Sequence, residues 1–280
     1  MIDIFPISLA ITLTLILLEK FSRRLGLVNI RDVPHTLHQK STSRFGGIAI
    51  FLSLFIVSFT EQNLDYEFLR ILLICCFPVF FMGILDDFKV EIKPINRIII
   101  AFPSAFAAYY FLGTEAYSLD IIFIDKLFSI KFFSILFICF AISGMVNAFN
   151  MIDGINGLVL LYVLTICFLV ILFHGSISTP EINLMFVATF FSVLGVFILN
   201  FPFGRIFLGD GGAYFLGIAL SIGIIKLYQV NSFSPWYVLG TFIYPVTDVM
   251  VSIIRRIIAK ISALEPDNKH LHHLIFRKIS

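Results

Sequence analysis

The chain has 280 residues, of which 59% are hydrophobic and only 14% charged, with a mean hydropathy of +0.99 and a formal net charge of +2. Water-soluble domains run nearer half apolar and a quarter charged, so the composition excludes a soluble domain and indicates an integral membrane protein. The small net charge leaves no footprint for a nucleic-acid partner, and the four cysteines (Cys75, Cys76, Cys139, Cys167) sit in apolar runs without metal-ligand spacing, as core residues do.

Taken in chain order, windows of about 19 residues predict nine transmembrane helices. They fall near 2–19, 45–60, 68–85, 98–113, 132–149, 155–173, 183–200, 212–229 and 236–254. The first run, from Ile2 to Leu18, has no basic leader and no small-residue cleavage site, so it reads as a retained span. Between the fourth and fifth spans, "SLDIIFIDKLFSIKFF" alternates and is rich in β-branched and aromatic residues, which predicts a short extracytoplasmic β-hairpin. No internal repeat is visible, so the inverted-repeat plan of many transporters is not supported. The expected architecture is an all-α polytopic membrane protein forming a single domain over 1–280.

Charge sets the orientation. The segments 20–44, 86–97, 150–154, 201–211 and 255–280 hold sixteen of the twenty basic residues. The positive-inside rule makes that side cytoplasmic, with the N-terminus outside and the C-terminus inside.

The unusual polar segments all fall on that same side: "STSRFGG", "GILDDFKV", "NAFNMIDGINGL", "FGRIFLGDGG" and "PDNKHLHHL". Ionisable residues at the edge of a membrane bundle are costly and mark sites. Asp86 and Asp87 end an apolar run. A helix C-terminus disfavours acids by about 0.3–1 kcal/mol, so two adjacent ones call for a compensating cation or metal. Asn147, Asn150 and Asp153 recur every three residues and share a helix face. The asparagines also suit interhelical hydrogen bonding. Asp210, between glycines at the start of a span, reads either as a helix N-cap or as a metal ligand beside a phosphate-binding helix end. Hard carboxylates without thiolates favour Mg²⁺. His270, His272 and His273 lack the i, i+4 spacing of a zinc pair and better suit phosphate oxygens. Lys40, Arg44 and Arg205, with Arg255 and Arg256, supply cations, which also suit lipid headgroups. The sum is a cytoplasm-facing cleft for a soluble phosphorylated donor and a lipid phosphate.

These motifs, with "DVPHTLHQKSTSRFGG" and "IFLGDGGAYFLG", resemble those of the bacterial polyprenyl-phosphate N-acetylhexosamine-1-phosphate transferases of glycosyltransferase family 4, from about Asp32 to His273. The resemblance implies transfer of a sugar 1-phosphate from a UDP-N-acetylhexosamine such as UDP-GlcNAc to undecaprenyl phosphate. UMP leaves, and Mg²⁺ (alternatively Mn²⁺) is the cofactor. It implies the bacterial inner membrane, contact with membrane lipids, a role in starting a cell-envelope glycan, and an assembly compatible with a homodimer. It assigns Asp86 and Asp87 to the catalytic centre, Asp210 and Asp153 to the metal, and Lys40, Arg44 and Arg205 to phosphate. Asn147, Asn150, Asp153, His270, His272 and His273 fall to nucleotide and sugar. The His-x-His-His form is closer to the O-antigen and teichoic-acid initiators than to the peptidoglycan enzyme. The chain departs from the pattern at Ala213, where a serine is common, at Val90, where some members carry a third acid, and before "STSRFGG", where the segment is shorter and no basic residue precedes His38. It also ends seven residues after His273, as a C-terminally shortened member would. Two rival readings are a transporter of lipid-linked sugars, which would place charges such as Lys226 and Asp248 at span centres, and an inactive shortened homologue.

Overall fold

The computed structural model describes residues 4–24, 43–60, 64–88, 92–115, 118–174, 179–231 and 233–259. The described residues form eleven α-helices and one 3₁₀ turn, with no strand. The helices are α1 (Ile4–Arg24), α2 (Gly46–Thr60), α3 (Glu67–Asp87), α4 (Pro94–Leu112), α5 (Ile122–Phe128), α6 (Lys131–Ile152), α7 (Leu158–His174), α8 (Pro180–Asn200), α9 (Gly209–Asn231), α10 (Pro235–Thr241) and α11 (Ile243–Ile258). Pro94, Pro180 and Pro235 each open a helix at its first turn, where the missing N–H costs nothing.

The first eight predicted spans each overlap one of these helices, and the ninth, 236–254, is divided between α10 and α11. By length and apolarity, however, five can cross a bilayer: α3, α4, α6, α8 and α9. The α10–α11 pair, bent by 75°, would make a sixth as one broken span, while α1, α2 and α7 are shorter apolar helices. The predicted hairpin is corrected. No strand forms among the described residues of 114–131, and a short helix, α5, takes its place. The reason is local bonding: the Asp125 carboxylate accepts the Leu119 N–H at 2.7 Å and the Ser118 hydroxyl at 2.8 Å. Such side-chain–backbone bonds hold the backbone in a turn and compete with a strand ladder.

The bundle is built around α9, where every residue from Gly211 to Ile225 is buried. A helix apolar on all sides belongs at a core. α3, α6 and α2 pack against it, α4 bridges α3 and α6, and α1 and α8 close over α2. Phe51 stacks on Phe80 with centroids 4.2 Å apart and meets Phe215 edge-on at 5.2 Å, tying α2, α3 and α9 together. Each such pair adds about 0.5–1.5 kcal/mol beyond burial. Large apolar side chains on the outer faces, among them Ile74, Phe77, Phe81, Phe140 and Phe168, are exposed, as lipid-facing residues must be.

Buried serines join α1, α2 and α8: Ser8 donates to the Ser192 carbonyl at 2.6 Å, Ser192 donates to the Ile50 carbonyl at 3.1 Å, and the Ser53 and Ser192 hydroxyls meet. Small residues also let helix ends approach closely at one end of the bundle. A Cβ on Gly83 would lie 2.5 Å from the Gly211 Cα, and one on Gly47 would lie 2.3 Å from the Gly212 Cα. This glycine contact draws the start of α2, the end of α3 and the start of α9 into one cluster.

Candidate active site

The "SRFGG" and "RIFLGDGG" segments are tied backbone to backbone. Phe207 N–H donates to the Ser43 carbonyl at 2.7 Å, Gly46 N–H to the Phe207 carbonyl at 2.9 Å, and Gly47 N–H to the Leu208 carbonyl at 2.7 Å. Gly209 turns the chain into α9 with φ of +78°, where a Cβ would sit 2.5 Å from the Arg44 carbonyl and 2.7 Å from Asp87 Oδ2. Only glycine suits both the conformation and the space.

Asp87, the last residue of α3, meets this turn. Its Oδ1 accepts the Asp210 N–H at 2.9 Å and its Oδ2 the Gly211 N–H at 3.1 Å. The first N–H groups of a helix have no partner within it, so α3 supplies a cap to α9 from another segment. The positive end of the α9 dipole thereby offsets the unfavourable place of Asp87 at the end of its own helix. Arg44 Nη1 stands 3.6 Å from Asp87 Oδ1 and 3.9 Å from Asp210 Oδ2.

Asp86 has different partners. Its Oδ1 accepts the Ile92 N–H at 3.1 Å, while its Oδ2 accepts the Tyr214 hydroxyl at 2.6 Å and lies 2.9 Å from Arg97 Nη2. Arg97 Nη1 donates to Asn150 Oδ1 at 2.8 Å, and Asn150 Nδ2 donates to Asp210 Oδ1 at 2.7 Å. The Arg97 guanidinium also lies 5.4 Å from the Tyr214 ring centroid, within cation–π range.

Asp153 follows the last turn of α6, its N–H bonded to the Asn150 carbonyl at 3.3 Å. Burial, then the charges of Asp210 and Asp87, push its carboxyl up to about 8, partly opposed by Arg44.

The structure therefore brings together Asp86, Asp87, Asn150, Asp153, Asp210 and Arg44. Asn147 is half-buried one turn before Asn150, and its side chain makes no hydrogen bond among the described residues. Arg205 is exposed and lies 5.0 Å from the Phe203 ring centroid, with no ion pair to these acids among the described residues. Lys40, His270, His272 and His273 lie outside the described residues. Sequence reasoning missed Arg97 and Tyr214. Arg97 carried a signal, being a cation inside the first turn of an apolar helix. Tyr214, one more aromatic in a span, carried none.

Four carboxylates face two guanidiniums here, an excess of negative charge that suits a divalent cation. No three carboxylate, thiolate or imidazole groups converge as a complete metal cage among the described residues. Mg²⁺ does not need one, since it commonly takes one or two carboxylates, several waters and substrate phosphates. Asp210 fits that role, with Oδ1 occupied by Asn150 and, among the described residues, Oδ2 facing Arg44 at 3.9 Å.

A second feature lies along α6 and α9, and none of the clustered acids or arginines lines it. An almost wholly apolar groove of about 520 Å³ runs between α6, α9, α10 and α11, lined by Phe140, Met145, Ala148, Ile225, Trp236 and Met250 among others. Ala148 lies on α6 between the two asparagines. On α11, Asp248, Ser252 and Arg256 recur every four residues and are buried on one face.

The chain resembles known proteins over most of its length. A family model described as glycosyl transferase family 4 matches residues 69–228, more than half of the chain. It is 28% identical over 243 residues to the undecaprenyl-phosphate alpha-N-acetylglucosaminyl 1-phosphate transferase of Thermotoga maritima, covering 86% of this chain and 70% of that protein. It is 28% identical over 284 residues to a probable undecaprenyl-phosphate N-acetylglucosaminyl 1-phosphate transferase of Bacillus subtilis, covering 98% and 77%. The corresponding Escherichia coli K12 protein is 29% identical over 290 residues, covering 98% and 76%. The matched region carries Asp86, Asp87, Arg97, Asn150, Asp153 and Asp210 on a scaffold of apolar helices, and the chain belongs to glycosyl transferase family 4.

Proposed function

We propose that the protein transfers an N-acetylhexosamine 1-phosphate, N-acetylglucosamine 1-phosphate in the first instance, from its UDP-sugar to undecaprenyl phosphate with release of UMP. The observation that carries this reading is the convergence of Asp87, Asp210, Asn150, Arg44 and Arg97 at one end of an apolar bundle. The names of the relatives point to the same lipid acceptor and the same sugar phosphate. The concentration of basic residues at this end supports a cytoplasmic site in a bacterial inner membrane, where the soluble nucleotide sugar is available.

The acceptor is a phosphate monoester with a second pKa near 6, largely dianionic at neutral pH. One of its oxygens attacks the phosphorus that carries the sugar, the bond from that phosphorus to the UMP oxygen breaks, and UMP leaves with the electron pair. The barrier lies in bringing two anions together, so preorganised positive charge lowers it. Mg²⁺, held by Asp210 with Asp153 beside it, would supply charge neutralisation on the diphosphate. Arg44 is half-exposed next to both Asp87 and Asp210 and is placed to meet an incoming phosphate. Both Asp87 oxygens already accept α9 N–H groups, so Asp87 fixes the start of α9 and the position of Asp210. The apolar groove beside α6 suits the hydrocarbon chain of the acceptor. Lys40, Arg205 and the histidine segment at His270, His272 and His273 would complete the donor-phosphate surroundings.

The test is UMP release from UDP-GlcNAc by the purified chain in nanodiscs, with and without undecaprenyl phosphate and Mg²⁺. Release is expected only with both. Full activity in both Asp87→Asn and Asp210→Asn would show the assignment to be wrong.

A further inference from the structure

Arg97 lies outside the motifs that marked the site, and Tyr214 falls within "IFLGDGGAYFLG" without being singled out there, yet each touches Asp86, and Arg97 also reaches Asn150. We propose that Arg97, clamped by Asp86 and Tyr214, is a positioning residue that sets the Asn150 amide and, through it, the edge of Asp210 that faces a metal ion. The inference rests on the reading of Asp210 as the metal-facing carboxylate.

The logic is one of donors and acceptors. An asparagine amide can present either its oxygen or its nitrogen to a neighbour, but a guanidinium has donors only. Arg97 Nη1 therefore takes the Asn150 oxygen, at 2.8 Å, and leaves the NH₂ group to face Asp210 Oδ1 at 2.7 Å. That bond occupies Oδ1 and turns Oδ2 toward the open side, where Arg44 stands 3.9 Å away. With Arg97 gone, the Asn150 amide loses the contact that selects its orientation, and Asp210 loses its fixed donor.

Arg97 is itself held on two sides. Its Nη2 lies 2.9 Å from Asp86 Oδ2, and its guanidinium covers the ring of Tyr214, whose hydroxyl donates to the same Asp86 oxygen at 2.6 Å. Asp86 Oδ1 is taken by the Ile92 N–H. The Asp86 side chain is 7% exposed and receives three donors, which leaves it little capacity to meet substrate. Its part is to hold Arg97. One chain of polar contacts thus runs from α3 through α4 and α6 to α9, and each link fixes the next.

The experiment measures Mn²⁺ binding by electron paramagnetic resonance to the purified full chain in nanodiscs, without nucleotide or lipid acceptor, alongside the Mg²⁺ dependence of UMP release. A guanidinium acting only through its charge would, on removal from among four carboxylates, tighten cation binding. A positioning guanidinium gives the opposite sign. Arg97→Gln is expected to weaken Mn²⁺ binding about 10- to 100-fold, the usual cost of losing an outer partner of a metal ligand. The Mg²⁺ requirement of UMP release should rise in proportion, with kcat at saturating Mg²⁺ changing less. Tyr214→Phe keeps the ring, removes one hydroxyl and is expected to weaken binding severalfold. Arg97→Gln combined with Asn150→Ala should be no weaker than Arg97→Gln alone, because both cut the same chain. Unchanged or tighter Mn²⁺ binding in a variant that melts as the wild type does, or additive losses in the double variant, overturns the proposal. If Arg97→Gln does not fold, Tyr214→Phe decides by the same criterion. Because the Mn²⁺ readout needs no turnover, weakened binding in a protein that releases no UMP would uphold the positioning role and reject the transferase reading.

Discussion

Gly83→Ala tests whether the fold and the site are mechanically one unit. Gly83 lies one turn before Asp87 on α3, and an added Cβ would fall 2.5 Å from the Gly211 Cα and 2.7 Å from the Gly211 nitrogen. Both are backbone atoms of α9, and no flexible side chain can yield. Carbon atoms rest at about 3.5–4.0 Å, so the helices must part by roughly 1 Å. Overpacking of that size costs about 1–3 kcal/mol of stability. The consequence for the site is larger. Asp87 holds the Asp210 and Gly211 N–H groups at 2.9 and 3.1 Å, and a shift of that size carries both beyond hydrogen-bond range. A misplacement near 1 Å can cost about a hundredfold in rate. UMP release should therefore fall by about two orders of magnitude while the protein still purifies folded, with a lowered melting temperature. Gly240→Ala in α10 is the control. A Cβ there meets nothing within 4 Å, and the change should be neutral or slightly stabilising. Activity of Gly83→Ala within threefold of wild type would refute the claim that this contact positions the site.

Three further outcomes are expected. Asp87→Asn turns one acceptor oxygen into an NH₂ group against the N–H groups of α9; UMP release should fall at least about a hundredfold, and melting temperature with it. Asp153, raised to about 8, binds a proton in the folded protein that its unfolded counterpart has released above about pH 4. Metal-free protein should therefore lose stability as pH rises from 4 toward 8. On the proposed role of Asp153 beside the metal, Mn²⁺ binding should strengthen over the same approach to pH 8 and then level off, read from binding isotherms at each pH. At the other end of α9, Gln229 Nε2 donates to the Glu115 carbonyl at 2.9 Å. Gln229→Leu should cost about 1 kcal/mol in thermal unfolding and leave UMP release unchanged.

The helices were legible because long apolar runs leave few alternatives in a bilayer; eight of the expected spans overlap a single helix, while the ninth breaks into α10 and α11 and five helices are long and apolar enough to cross. Alternation in the 114–131 segment points to a strand, yet the described residues there form α5. Asp125, bonded to Ser118 and Leu119, decides that segment, and alternation does not. In the site, the acids were legible as costly charges at helix ends, and "FGG" with "GDGG" as places where backbones could approach. What the chain pattern could not reveal was pairing across helices. Arg97 falls in one of the basic segments that set orientation, and nothing local distinguishes a headgroup-facing arginine from one turned inward onto Asn150. Tyr214 lies among apolar neighbours, and only the fold brings its hydroxyl to Asp86.

The adjacent pair Asp86–Asp87 shows how such pairing divides labour. Consecutive residues on a helix point about 100° apart, so two identical side chains meet different neighbours. Asp87 faces the start of α9 and receives backbone N–H groups that no other segment supplies. Asp86 faces α4 and the side of α9, and receives Arg97, Tyr214 and the Ile92 N–H. Neither carboxylate is a spare charge waiting for a metal. Replacing either by asparagine removes an anion, yet the two losses should differ in kind. At position 87 the start of α9 loses its cap and Asp210 moves with it. At position 86 Arg97 loses its anchor, and the disturbance reaches Asp210 through side chains, by way of Asn150 and of Tyr214 on α9. A paired acidic motif at a membrane helix end can thus build two separate supports for Asp210, one through backbone and one through side chains.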